Sequence, residues 1–332
     1  MDYVNLGKTG LRVSRVCLGM MTFGVHEERP WALDEAAAEP IVRRAVEGGI
    51  TFFDTADVYA AGQSEVLTGH LVGKLLTREE AVIATKVHGH TMPGENGVGL
   101  SRKHILASID ASLARLGVDY VDLYQIHRWD DWTPIEETME ALNDVVRSGK
   151  ARYIGASSMW AWQFAKAQAI AERNGWARFV SMQNHYNLLY REEEREMIPQ
   201  CVDQGVGIIP WSPLARGLLA GDRTAAVERL TLRANTDAAR EFLYTHELDL
   251  PVIDRVTEVA RQRGVPNAQV ALAWLLHRPA VTAPIVGATQ VAHVEDALAA
   301  VEFALDETEL AHLEEVYVPH HAEIQGGRRS RP

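Results

Sequence analysis

The run Ala81-Val82-Ile83-Ala84-Thr85-Lys86 is followed by the stretch from Ser101 to Leu116, and then by Tyr120-Val121-Asp122-Leu123-Tyr124-Gln125. The outer two are short and rich in apolar and β-branched residues, as strands buried on both faces are. The middle one opens on Ser101, a good N-cap, and places Ile105, Ile109, Leu113 and Leu116 on one face of a helix. Strand, helix and strand at this spacing make a right-handed unit with parallel strands. The same alternation extends both ways. Further strands are predicted at 16–18, 51–54, 151–157, 179–184, 207–211 and 283–286. Further helices are predicted at 35–47, 134–146 with Thr133 as N-cap, 161–173, 192–204, 251–263, 267–276 and 291–299. Eight strands at about 40 residues per unit match a closed (β/α)8 TIM barrel better than an open α/β sheet.

Two pieces fall outside the repeat. Residues 3–13 read as an N-terminal β-hairpin that could plug the barrel floor, and 220–250 as a long polar insertion after the seventh strand. No Pro/Ser-rich linker interrupts the pattern, so residues 1–332 are expected to form a single domain. The formal net charge is −12, which argues against a nucleic-acid or anionic-membrane binder. The basic cluster Arg328, Arg329 and Arg331 reads as a frayed tail. The two cysteines, Cys17 and Cys201, are too few for a disulfide framework and fit a reducing, cytoplasmic compartment. Neither a signal peptide nor a membrane span is expected.

In such a barrel the chemistry gathers at the C-terminal ends of the strands. There the sequence places Asp54 and Tyr59 after the second strand, Lys86 at the end of the third and His127 after the fourth. A buried Lys86 needs a partner, and Asp54 is the natural one. A held positive charge beside Tyr59 would make its proton easier to give near neutral pH. His127 could orient a carbonyl oxygen, and the set requires no metal. Taken singly, each residue also has an ordinary structural explanation as cap, solvated charge, packing group or satisfied histidine.

The segments Phe52-Phe53-Asp54-Thr55-Ala56-Asp57-Val58-Tyr59, Ala84-Thr85-Lys86-Val87 and Asp122-Leu123-Tyr124-Gln125-Ile126-His127 resemble the signature segments of the aldo-keto reductase superfamily. Gly149 to Ser157, Gln183-Asn184-His185-Tyr186-Asn187 and Pro210 to Gly217 agree with it. The runs 129–138, 151–158 and 190–197 are most similar to its bacterial YajO-like branch. The resemblance implies a (β/α)8 barrel, Asp54, Tyr59, Lys86 and His127 as a catalytic tetrad, a nicotinamide cofactor and a small-molecule carbonyl substrate. It further implies that Ser157, Ser158 and Gln183 meet the nicotinamide carboxamide and that Trp211 stacks on its ring. Ser212, Leu214 and Gly217 would meet the pyrophosphate through backbone N–H groups, with Arg216 close by. Gly287, Gln290 and His293 lie where the family grips the adenosine end. Gln290 replaces a usual Lys or Arg, which weakens selectivity for NADPH over NADH; NADPH remains the expectation.

Substrate-pocket candidates are Met21, Phe23, Trp31, Trp129 and Trp132, with Tyr317 to His321 folding over the opening. Two rival readings stand beside the reductase. One is a metal-dependent barrel hydrolase using His88, His90, His127 and His185. The other is a non-catalytic, nucleotide-binding regulatory member of the same family.

Overall fold

The computed structural model of the chain describes residues 1–27, 29–228, 235–237, 242–244 and 246–320. Strands β1 (Tyr3–Asn5) and β2 (Arg12–Ser14) pair antiparallel, with Val4 opposite Val13. Then come β3 (Cys17–Gly19), β4 (Phe52–Asp54), β5 (Val82–Val87), β6 (Val121–Ile126), β7 (Ala151–Ser157), β8 (Phe179–Gln183), β9 (Gly207–Ile208) and β10 (Ile285–Gly287). These eight form one parallel sheet in the order β10-β3-β4-β5-β6-β7-β8-β9. The ends of that order meet. The Thr282 N–H donates to the Ile208 carbonyl at 2.7 Å and the Ile285 N–H to the Pro210 carbonyl at 2.9 Å. The result is a (β/α)8 barrel, closed so that neither edge stays open.

Every predicted strand is present, shifted by a residue or so at its ends. The seventh is the exception, being cut to Gly207–Ile208, because Pro210 has no N–H to give to a ladder. Trp211 nevertheless still bridges to His185. Helices Glu35–Glu47 and Asn267–Leu276 fall on their predicted bounds. Ser101 caps Arg102–Leu116 by accepting the His104 N–H at 3.2 Å. Thr133 is not a cap: its hydroxyl turns to Asp130 at 2.7 Å, and Pro134 holds the N-cap position of Ile135–Arg147. The 192–204 stretch divides into a 3-10 turn, Glu192–Glu194, and the helix Met197–Gln204. The helix predicted at 251–263 begins earlier, as His246–Arg263, with Pro251 inside it. Among the described residues three helices went unpredicted, Gln63–Gly73, Arg223–Glu228 and Glu307–Glu314. The 220–250 insertion is described only in part, and His321, Arg328, Arg329 and Arg331 lie outside the described residues.

The core has two parts. The larger lies between the sheet and the surrounding helices. The smaller fills the barrel interior with Cys17, Phe52, Val82, Ala84, Leu123, Ile209 and Ala283, and the hairpin adds Leu6 and Val13 to it. The hairpin therefore does plug the floor. It is tied there by the Lys8 N–H on the Gly205 carbonyl at 2.7 Å. Gly7 sits at φ +57°, and a Cβ there would lie 2.5 Å from the Gly205 oxygen, so only glycine lets the plug seat. Both cysteines are buried free thiols. Among the described residues no helix is long and apolar enough to cross a membrane.

Candidate active site

With the floor plugged, the open end of the barrel is the one at the strand C-termini. Side chains alternate along a strand, so alternate strands contribute to the same interior layer. Asp54 of β4, Gln125 of β6 and Gln183 of β8 meet in such a layer. One Asp54 oxygen, Oδ2, accepts from Gln125 Nε2 at 2.9 Å and from Gln183 Nε2 at 3.0 Å. The other, Oδ1, accepts from Lys86 Nζ. Lys86 is fully buried and donates also to the Thr55 carbonyl at 2.8 Å and to the Tyr59 hydroxyl at 3.4 Å. Burial disfavours its charge, but Asp54 and the Tyr59 oxygen outweigh that, and the ammonium is held above its ordinary value. A buried ion pair is stable only when its remaining donors and acceptors are met, as they are here.

Tyr59 is delivered by the loop after β4. Directly beyond it Ala60 and Ala61 take left-handed conformations at φ +48° and +52°, followed by Gly62 at φ +89°. Non-glycine residues pay for this conformation, and consecutive ones are uncommon outside functional turns. His127 meets the Tyr59 ring edge-on, with centroids 5.6 Å apart. Burial, then the nearby Arg128 and Lys86, push the His127 imidazolium far below its usual range, so the ring is neutral. Behind the loop lies a second buried carboxyl, Asp57. Both of its oxygens lack a hydrogen-bond partner, and burial, with Glu65 nearby, pushes it up to about 8.

These groups form the base of a cavity of about 940 Å³. Asp54, Tyr59, His127 and Gln183 line its floor. Met21, Arg29 and Trp31 line one wall, and Trp211 begins a second that runs through Ser212, Leu214, Arg216 and Gly217 to Gly287, Gln290 and His293. Trp211 is held from behind. Its ring stacks on His185 at 4.3 Å, and His185 stacks on Tyr190 at 4.3 Å. Its Nε1 donates to the Ser158 hydroxyl at 3.0 Å. Asn187 Nδ2 donates to the Tyr244 oxygen at 3.1 Å, which leaves the phenol proton for His185 Nε2 at 2.8 Å. The indole is thus fixed in plane and tilt before any ligand arrives.

The structure brings most of the predicted residues together and separates a few. Ser157 is fully buried and donates to the Gln183 carbonyl at 2.9 Å; neither it nor Ser158 lines the cavity. The Gln183 amide N–H groups are spent on Asp54 and Gln125. The Gly217 N–H closes a turn on the Leu214 carbonyl at 2.9 Å, so its amide is not free for a phosphate. A Cβ on Gly217 would meet nothing within 4 Å, which leaves open room beside it. Arg216 pairs with Asp237. Of the pocket candidates, Met21 and Trp31 line the cavity, whereas Phe23 is buried in the core. Trp129 packs edge-on against Trp162 at 6.1 Å, and Trp132 is exposed away from the opening. Tyr317 does not fold over the mouth: it donates to Glu192 at 2.7 Å, and His320 contacts Asp249 at 3.0 Å, both away from the cavity lining.

Sequence reading missed Gln125, Arg29 and Arg128, and the His185–Tyr190 stack. Gln125 lies inside a segment it did quote and Arg128 directly follows that segment, but nothing in the pattern distinguishes an inward glutamine from an ordinary one. The hydrolase reading fails on His185, whose ring is sandwiched between Tyr190 and Trp211. Among the described residues no three His, Cys, Asp or Glu side chains are grouped to hold a metal ion.

Residues 15–318 match the model of the aldo/keto reductase family. The chain is 48% identical to versiconal hemiacetal acetate reductase of Aspergillus parasiticus, covering 96% of this chain and 98% of that one. It is 46% identical to the aldo-keto reductase dtxS3 of Metarhizium robertsii, covering 98% and 93%. It is 45% identical to a Schizosaccharomyces pombe protein named as an aryl-alcohol dehydrogenase candidate, covering 98% and 97%. These similarities run to fungal reductases and do not place the chain in the bacterial YajO-like branch. Barrel, floor network and matched sequence agree that this chain is an enzyme and belongs to the aldo/keto reductase family.

Proposed function

We propose that the protein reduces an aldehyde or ketone to the alcohol, with NADPH as the expected carrier. The observation that carries the reading is the network joining Asp54, Lys86 and Tyr59 at the base of a cavity of about 940 Å³. The residues present fit that cofactor. Trp211 is braced from behind by His185 and offers its other face to a flat ring. Gly217 leaves room for close approach, and Gln183 keeps its amide oxygen for a carboxamide N–H. Gln290 and His293 stand at the far end, where an amide rather than a guanidinium would meet a 2′-phosphate. That substitution narrows the margin over NADH.

The bound nicotinamide supplies the hydride. Tyr59 holds the proton that the carbonyl oxygen takes up. Lys86, 3.4 Å from the hydroxyl, stabilises the phenolate left behind, and Asp54 keeps Lys86 charged and in place. His127, being neutral, donates a hydrogen bond to the same carbonyl oxygen without competing as the acid. Asp54, Gln125 and Gln183 fix this constellation from three strands, so little rearrangement is needed at the moment of transfer.

The test is a titration of the protein with NADPH and NADH by tryptophan quenching, repeated on Tyr59→Phe and combined with turnover of a simple aldehyde. Tight binding by both proteins, with turnover lowered by roughly three orders of magnitude or more in the variant, is expected. Wild-type turnover in Tyr59→Phe would remove the acid assignment. Binding without turnover by the wild-type protein would favour a non-catalytic role.

A further inference from the structure

Behind the loop that delivers Tyr59 lies a buried acid that the chemistry above does not use. Asp57, two residues before the tyrosine, is 2% exposed and does not line the cavity. Its backbone N–H donates to the Lys86 carbonyl at 3.3 Å, which ties it to the strand that carries the ammonium. Neither of its side-chain oxygens has a hydrogen-bond partner. A carboxylate buried without donors is far costlier than the neutral acid in the same place.

Charged and titratable groups reach Asp57 from four elements. The helix Gln63–Gly73 brings Glu65, the helix Arg102–Leu116 brings Arg115, β5 brings Lys86 and β6 brings Tyr124. Both cations have carboxylates of their own. Arg115 Nε donates to Glu65 Oε2 at 2.6 Å, and Lys86 Nζ donates to Asp54 Oδ1. Glu65 also accepts from the Thr85 hydroxyl at 2.6 Å, and the Tyr124 hydroxyl donates to the Ile105 carbonyl at 3.3 Å. The two ion pairs are each neutral, so an ionised Asp57 adds a negative charge that neither cation is spare to meet. Burial, then Glu65, push its carboxyl up to about 8, against the weaker pull of Arg115, the Val58 N–H and Lys86.

Reduction brings negative charge into this region. As the carbonyl oxygen takes the Tyr59 proton, a phenolate is left, and the cation beside it is Lys86. A further anion acting on Lys86 competes with that phenolate. Resting on the reductase reading above, we infer that Asp57 is a positioning residue that works as a neutral acid: its proton reserves Lys86 for Asp54 and the phenolate, and loss of that proton slows reduction. Asp57 acts through Lys86 and never touches the substrate. It sets the alkaline limit of the reaction from behind the barrel wall.

The experiment follows kcat/KM for benzaldehyde, which does not titrate, with saturating NADPH between about pH 6.5 and about pH 9. Wild type and Asp57→Asn are each scaled to their own value at the acid end, so a general loss of rate in the variant does not enter. The wild-type value should fall by about tenfold, the size of one pKa unit of charge interaction. Asp57→Asn carries no charge at any pH, and its fall should shrink to about threefold or less. Equal falls in the two proteins would overturn the proposal, as would a wild-type profile that stays flat. The acid itself is read without any variant, by infrared titration of wild-type protein whose aspartates carry ¹³C at the carboxyl. The label separates Asp57 from Glu193, which burial pushes up to about 7. A protonated-aspartate carbonyl band should be present at neutral pH and vanish near pH 8 to 9. Its absence at neutral pH would overturn the proposal whatever the rates show. A wild type that turns over at no pH overturns the reductase reading, and this role with it; that failure is told apart because there is then no rate to compare.

Discussion

Asp57 shows what the barrel rim asks of one side chain. It is buried, both oxygens lack partners, and its carboxyl is pushed up to about 8. The folded state therefore keeps a proton that the unfolded chain releases above its ordinary value near pH 4. Because the native form binds the extra proton, stability falls as pH rises from about 4 to about 8 and levels off beyond that. Asp57→Asn removes the dependence. Its gain in urea-unfolding free energy over wild type should be a few kcal/mol larger at pH 8 than at pH 5. An equal gain at both values would mean that Asp57 ionises in the fold. Asp54, three residues earlier, is placed differently, because Lys86, Gln125 and Gln183 meet both of its oxygens. That Asp54, Tyr59, Lys86 and His127 would meet was legible in sequence, because their residue types at strand ends are unusual, and the structure brings the four together. Asp57 gave no such signal, since burial without a partner is a property of the neighbours.

At the scale of elements, apolar runs announced the strands because a parallel strand in a barrel is covered on both sides. The helix Gln63–Gly73 escaped notice for a related reason. It buries Ser64, Glu65 and Thr68 along with Leu67 and Leu71, so no single apolar stripe marks it. Glu65 is matched to Thr85 at 2.6 Å and to Arg115 at 2.6 Å, partners far away in sequence. The turn that leads into this helix holds Ala61 exposed in a left-handed conformation. An L-residue there costs roughly 1–2 kcal/mol, of which glycine recovers part after its greater unfolded-state entropy is counted. Ala61→Gly should therefore raise stability by about 0.5–1 kcal/mol, seen as a melting temperature higher by roughly 1–2 °C. A lower melting temperature would show that the turn is held by contacts of the alanine methyl.

For the whole molecule, closure is the decisive event, and one residue clasps it. Arg15, just before β3, donates to the carbonyls of Val281 at 2.6 Å, Thr282 at 2.9 Å and Leu276 at 2.7 Å. It joins the first barrel strand to the segment leading into the last, and it sits on the C-terminal carbonyl of the helix Asn267–Leu276. Arg15→Met leaves three carbonyls without their donor and should cost about 2–4 kcal/mol, read as a lower urea midpoint at unchanged slope. A change under about 0.5 kcal/mol would mean that water replaces the guanidinium. The alternation of strand and helix foretold the barrel, but not this clasp, which joins residues 261 to 267 positions apart.

The layer formed by Asp54, Gln125 and Gln183 also sets a clock. A ribosome delivers Asp54, Tyr59 and Lys86 early, Gln125 and His127 next and Gln183 later, and the strand that seals the ring only near residue 285. Until then the aspartate lacks its full set of neighbours and the wall beyond Trp211 is incomplete. A half-made chain thus contains Asp54, Tyr59, Lys86 and His127 but not the layer that holds them. On the reading proposed above, activity is expected only once the last strand has closed the ring, and a fragment ending before it should show none.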